Sequence, residues 1–149
     1  MLTNNEFNSL KNMKKEILKC KQIIIPKPGK KLILDVISVN KKEDFNISLY
    51  RNRINFEKIT YQNLHKRTST PLIRIDLAGP PHFNPDGEKV LPPHIHIYKE
   101  GYGDKWAEPL NNIFTNTNDL VQLLYDFLKY CNIINIPQNI LFIPVLTNL

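Results

Sequence analysis

The chain is 149 residues long, 42% hydrophobic and 23% charged, which is one domain's length of ordinary globular composition and leaves no low-complexity or disordered tract. Its formal charge of +6 is uneven: residues 1–67 hold 15 Lys or Arg against 6 acids, and residues 68–149 hold 5 against 8. The longest apolar runs, residues 22–26 and 140–146, fall far short of the roughly 20 residues that span a bilayer, and no signal-like segment opens the chain, so a cytoplasmic protein with no membrane partner is expected.

Thr3-Asn4-Asn5-Glu6 is a capping box, and Phe7, Leu10, Met13 or Lys14, and Ile17 follow at helical spacing, which predicts a first helix over residues 3–21. Lys11, Lys15 and Lys19 lie four apart on its outer face, as either a solvated face or a row of phosphate contacts. Cys20 in this helix and Cys131 in a later one lack a CxxC partner, so both read as buried free thiols. After Pro26 and the Pro28-Gly29 turn, residues 32–39 read as a strand apolar on both faces, hence central, with Asp35 as its exception. Phe45, Ile47 and Leu49 mark a second strand and residues 59–64 a third. Residues 72–78 make a fourth, with Ile73, Ile75 and Leu77 on one side and Arg74 and Asp76 on the other.

Residues 79–93 carry two Pro-Pro-His triplets around Asn84-Pro85-Asp86-Gly87. Proline cannot donate to a ladder and Asp-Gly is a strong turn signal, so a long shaped loop without regular pairing is expected, with a binding or calcium-like role as the alternative to a plain turn. His94-Ile95-His96-Ile97-Tyr98 then alternates strictly: Ile95 and Ile97 face one way, and His94, His96, Tyr98 and Glu100 the other. Thr117 or Asn118 caps a second helix in which Leu120, Leu123, Leu124, Phe127, Leu128 and Cys131 form one apolar stripe. The tail, interrupted by Pro137 and Pro144, adds a short strand. The expected fold is a single α+β domain over residues 1–149: a basic N-terminal helix (1–22), a mostly antiparallel sheet of about five strands (30–100), and an amphipathic C-terminal helix (117–133) packed on one face.

If the fourth and fifth strands are antiparallel neighbours, their apolar faces turn together toward the second helix and their polar faces coincide. Arg74 and Asp76 then join His94, His96, Tyr98 and Glu100, and His82 leans in from the loop. One chemistry for this set is metal-independent cleavage of RNA by its own 2′-hydroxyl. His94 and His96 serve as the acid/base pair, Asp76 orients a ring, Tyr98 supports it, and Lys105 or Arg74 stabilises the charged phosphorane; no cofactor is called for. The second is a metal site of His94, His96 and Glu100. The third is a merely polar sheet face. Trp106, with Tyr98 and Tyr102 near Lys105, reads as a stacking platform for bases or as the edge of the core.

His94, His96 and Glu100 also fit the HxHxxxE pattern typical of cupin barrels, although the preceding glycine is displaced by one position and the second histidine motif is absent. HIHIY supplies two of the three alternating histidines of the histidine-triad nucleotide enzymes. The stretch PLIRIDLAGPPHFNPDGEKVLPPHIHIYKEGYGDKWAEPL, residues 71–110, resembles a family of small uncharacterised bacterial proteins with a GPPHxNPDG loop, a HIHIY strand and an EGYGDKWAxPL segment. PPHIHI is also similar to the PPHxHV signature of small proteins associated with toxin and antitoxin gene pairs. Neither resemblance brings an activity. They imply a functional surface of His82, Asn84, Asp86, His94, His96, Tyr98, Gly101, Gly103, Asp104, Lys105 and Trp106.

The function expected is a small RNA-directed toxin or defence effector, with RNA or a nucleoprotein complex as its target and a protein antitoxin as its partner. The alternative is a non-catalytic phage or mobile-element protein that binds and inhibits a nucleic-acid-guided defence complex, an anti-CRISPR-like role. The sequence leaves the oligomeric state open.

Overall fold

The computed structural model describes residues 1–55 and 57–142. Thr3 closes the expected capping box: its hydroxyl accepts from the Glu6 N–H and the Glu6 carboxylate accepts from the Thr3 N–H, both at 3.0 Å, at the start of α1 (Asn4–Asn12). The helix stops there rather than near Lys21. The chain continues as β1 (Lys15–Ile17), and Ile17 is buried from a strand. Lys15 accounts for the early end. Its Nζ donates to the carbonyls of Lys11 at 2.8 Å, Met13 at 3.0 Å and Cys131 at 2.9 Å, so a fully buried ammonium satisfies the free carbonyls at the end of α1.

The expected row of basic side chains therefore does not exist. Lys15 is interior, Lys11 lies with Nζ 4.0 Å from the centre of the Tyr130 ring, and Lys19 sits at φ 49° outside any helix. Cys20 is also outside a helix and only half-buried, before β2 (Gln22–Ile25), whereas Cys131 is buried.

The remaining elements are β3 (Lys31–Ser38), β4 (Asp44–Arg51), β5 (Ile59–His65), β6 (Thr70–Asp76), β7 (His82–Phe83), β8 (Lys89–Val90), β9 (His94–Ile97), β10 (Ala107–Pro109), α2 (Leu120–Tyr130) and β11 (Asn139–Phe142). Seven strands form one sheet in the order β1-β3-β4-β5-β6-β9-β10, antiparallel at every step, so the α+β single-domain architecture holds with more strands than the sequence suggested. β3 is second from the edge rather than central. β1 pairs only with its Val36, Ile37 and Ser38, and Ile33 is left 54% exposed. The tail strand β11 pairs in parallel with β2; Pro144 and the rest of the expected tail lie outside the described residues.

Alternation sends Phe45, Ile47, Leu49, Tyr61, Ile75 and Ile95 to one face of the sheet, and α2 closes that face with Leu123, Leu124, Phe127 and Leu128. The cap of α2 is Asp119, whose carboxylate accepts from the Gln122 N–H at 3.1 Å, so the helix starts slightly later than Thr117 or Asn118 would place it. Tyr61 ties helix to sheet: its ring centre is 6.0 Å from that of Phe127 and its hydroxyl donates to the Leu120 carbonyl. Burying those four side chains of α2 contributes on the order of ten kcal/mol before conformational entropy is subtracted. Both α1 and α2 bury their apolar side chains in this one core, so among the described residues the opposite face is left to polar side chains.

Burial pushes the Lys15 ammonium down to about 8. Between that value and its unfolded value of 10.5 the unfolded chain binds a proton that the folded chain has released, so stability rises with pH across this window. Wild type should gain on the order of 3 kcal/mol relative to Lys15→Met between pH 7 and pH 10.5, measured by urea denaturation; a difference that stays flat would contradict the buried ammonium.

Candidate active site

β6 and β9 pair in the register Arg74↔His96, Ile75↔Ile95 and Asp76↔His94, so the four polar residues share the helix-free face, directly opposite one another rather than diagonal. β5 adds Thr60, which stands across from Asp76. For these four residues the expectation made from the alternation is met.

Asp76 is the hub of this group. Its Oδ2 accepts from Arg74 Nε at 3.1 Å and lies 3.2 Å from His96 Nε2 and 3.4 Å from His94 Nε2, while Oδ1 accepts from the Thr60 hydroxyl at 2.9 Å. Burial acts to raise the pKa of this carboxyl, but the hydrogen bond from His94, the Arg74 charge and the Thr60 hydroxyl outweigh it and hold the group well below the usual carboxylate range.

The ring nitrogens are not equivalent. His96 Nδ1 donates to the Asp104 carbonyl at 2.8 Å, which leaves Nε2 as the bare nitrogen; it accepts from Arg74 Nη2 at 3.1 Å. This tautomer is assigned from the hydrogen-bond network. Arg74 is held in turn by the Asp104 carboxylate, to which Nη1 donates at 2.7 Å. His94 turns Nε2 toward Asp76, and its Nδ1 is buried with no hydrogen-bond partner among the described residues.

His82 completes a cluster of three imidazoles. Its ring centre is 4.6 Å from that of His96 and 6.0 Å from that of His94, both edge-on, and Nε2 donates to the Lys105 carbonyl at 2.6 Å. His94 and His96 are only 4% and 2% exposed, so the rings are covered rather than open to water as expected. They are covered by the loop and not by α2. Access runs through a pocket of about 360 Å³, which Lys58, Thr60, Pro80 and Pro81 wall together with the polar cluster.

The loop is more ordered than its prolines suggested, since β7 and β8 pair as a small hairpin. Gly87 at φ 90° makes the turn, with its N–H donating to the Asn84 carbonyl at 2.8 Å, and the Asp86 carboxylate accepts from the Glu88 N–H at 3.0 Å. Asn84 fixes this hairpin to β10: its Oδ1 accepts from the Ala107 N–H at 2.8 Å and its Nδ2 donates to the Ala107 carbonyl at 3.0 Å. Asn84 and Asp86 thus shape the loop instead of facing the pocket.

Other expected members are elsewhere. β9 ends at Ile97, and Tyr98 is core: its ring stacks on Phe7 at 5.6 Å and its hydroxyl donates to the Leu2 carbonyl. Glu100 is joined to α1, its carboxylate accepting from the Asn4 N–H at 2.8 Å, which removes it from the proposed metal set. Trp106 packs edge-on against Tyr102 with Lys99 over its face, beside Ile95 and Ile97 and so on the far side of β9. Lys105 joins the site only through its carbonyl, and its side chain is exposed. Lys11, Lys15 and Lys19 do not line the pocket.

Lys58 and Thr60 were not anticipated. Extending the β6–β9 register by one more antiparallel strand would have placed Thr60 opposite Asp76; nothing local marks Lys58. The group described as "Family of unknown function (DUF6978)" matches residues 2–133, well beyond the segment that carried the resemblance. No curated protein and no solved structure matches the chain.

Replacing Asp76 by Asn should cost about 3 kcal/mol at pH 7, because it leaves the Arg74 guanidinium and the His94 ring without the anion they share. Wild type should lose this contribution as pH falls below the unfolded carboxylate value of about 3.9, and the variant has none to lose. Urea denaturation of both proteins checks this, and equal stability at pH 7 would contradict it.

Proposed function

We propose that this chain, which belongs to the family of unknown function DUF6978, is a small RNA-directed effector that cleaves phosphodiester bonds in the pocket around Asp76, His94 and His96. The observation that carries the reading is the pairing of two cationic side chains, Lys58 and Arg74, with this cluster on the wall of one pocket. A pocket so lined suits an anionic group, and a net charge of +6 favours a polyanion over a single small anion. RNA is the simplest such substrate to cleave, because its 2′-hydroxyl supplies the nucleophile. The protein takes that proton, neutralises the phosphorane, and a proton returns from the same centre, through pocket water, to the departing 5′-oxygen as the P–O5′ bond breaks.

The roles follow from the geometry. Lys58 and Arg74 hold and neutralise the phosphate. The bare Nε2 of His96 and the Asp76 carboxylate are the electron-pair donors beside it, with His94 completing their shell. A separate acid and base would stand on either side of an in-line phosphorus. Here both Nε2 atoms face one carboxylate oxygen, so the three groups act as one basic centre rather than as the expected imidazole pair. The PPHIHI likeness supports a toxin role in the cytoplasm with a protein antitoxin as partner.

A second reading, the non-catalytic inhibitor of a nucleic-acid-guided complex, draws on Leu18, Ile24 and Ile33. These apolar side chains are 44%, 38% and 54% exposed and line one shallow groove away from the site, as a protein-docking patch would.

Purified protein should cleave RNA, with a loss of about 100-fold or more in His94→Ala/His96→Ala. Lys58→Ala should cost about tenfold or more, mainly in KM. RNA that stays intact with added divalent cations, or is cut equally by the double variant, would refute the enzyme reading; intact RNA with a nucleoprotein complex bound would favour the inhibitor.

A further inference from the structure

Asp76, His94 and His96 each offer one ligand atom within 4.8 Å of the other two, with Asp76 Oδ2 beside both Nε2 atoms, on two adjacent strands of one sheet. We infer that these three atoms form a centre for one divalent transition-metal ion, with the remaining coordination position open to the pocket. The inference rests on reading this pocket as the active site and changes one role in it: with an ion bound, the electron pairs of the three groups would hold it, and a water at the open position would be the base in their place.

The distances suit an ion. Ligands about 2.1 Å from Zn²⁺ in a tetrahedral shell stand about 3.4 Å apart, and the carboxylate oxygen is 3.4 Å from one nitrogen and 3.2 Å from the other. The supporting contacts also suit it. The Asp104 carbonyl fixes the His96 ring with Nε2 bare, and the Thr60 hydroxyl occupies the other carboxylate oxygen, so two of the three ligands are oriented from behind. Two imidazoles with one carboxylate select Zn²⁺, Mn²⁺ or Fe²⁺ over Mg²⁺ and Ca²⁺, which take shells of oxygen. A water or a phosphate oxygen would fill the open position, next to Lys58.

Arg74 sharpens the inference. Its guanidinium donates to the same Oδ2 and to the same His96 Nε2 that would bind the ion, so it supplies the positive charge those atoms otherwise lack. An entering cation must displace it from the imidazole. Removal of Arg74 should therefore tighten metal binding while it weakens RNA cleavage, an opposition that a plain ion-pair network would not show.

The test is calorimetric titration of tag-free, chelator-treated protein with Zn²⁺, with Mg²⁺ as control and metal content measured after dialysis. One Zn²⁺ per chain is expected, with Kd raised about tenfold or more by Asp76→Ala, His94→Ala or His96→Ala, and lowered several-fold by Arg74→Ala. Should a ligand variant fail to fold, the visible absorption of Co²⁺ bound to wild type, and its loss on adding Zn²⁺, tests the site without variants. Absence of stoichiometric uptake, or ligand variants that bind as tightly as wild type, would overturn the metal centre. Zn²⁺ uptake with no RNA cleavage would uphold it and sink the nuclease reading; cleavage unaffected by chelation, with no uptake, would do the reverse.

Discussion

One half-buried carboxylate organises the helix-free face of this protein. Asp76 has a guanidinium, two imidazoles and a hydroxyl arranged around its two oxygens. Half-buried on the pocket wall, the carboxylate is held as an anion by partners that offset its partial desolvation. Every other feature of the site depends on that arrangement: Arg74 points where it does because Asp76 and Asp104 both hold it, and His96 keeps a bare Nε2 because its other nitrogen is committed to a carbonyl.

The framework that makes this arrangement possible is built from short polar clamps. The two bonds between Asn84 and Ala107 seat the loop hairpin on β10, and this seating brings His82 to the edge of His96 and the Pro-Pro segment over the pocket. On the other side of the sheet, α2 closes the apolar face with leucines and Phe127, and among the described residues the polar face is left to the site. Lys15 plays a similar part far from the site, joining the ends of both helices through carbonyls.

How much of this was legible in the sequence depends on the range of the interaction that decides each element. Strict alternation over residues 94–97 and 72–76 predicted both the strand faces and the partnership of Arg74 and Asp76 with the two histidines, because period two and antiparallel pairing leave little freedom. The stripe of α2 was equally plain. Lys15 shows what is hidden: at helical spacing it looked like one more exposed lysine, and its burial rests on Cys131, which is 116 positions away. Tyr98 misled for a related reason, since the regular strand ends at Ile97 and the ring is claimed by Phe7 and Leu2 of the N-terminal segment. Glu100 was likewise taken up by Asn4. Lys58 carries no local signal and enters the site only through the sheet order.

The account stands on the claim that the Asp104 carbonyl and Arg74 fix the proton on His96. A long-range ¹H–¹⁵N spectrum of the imidazoles in metal-free protein at pH 7 tests this directly. His96 should show a protonated Nδ1 and a bare Nε2; a ring protonated at Nε2, or one averaging between the two tautomers, would contradict it.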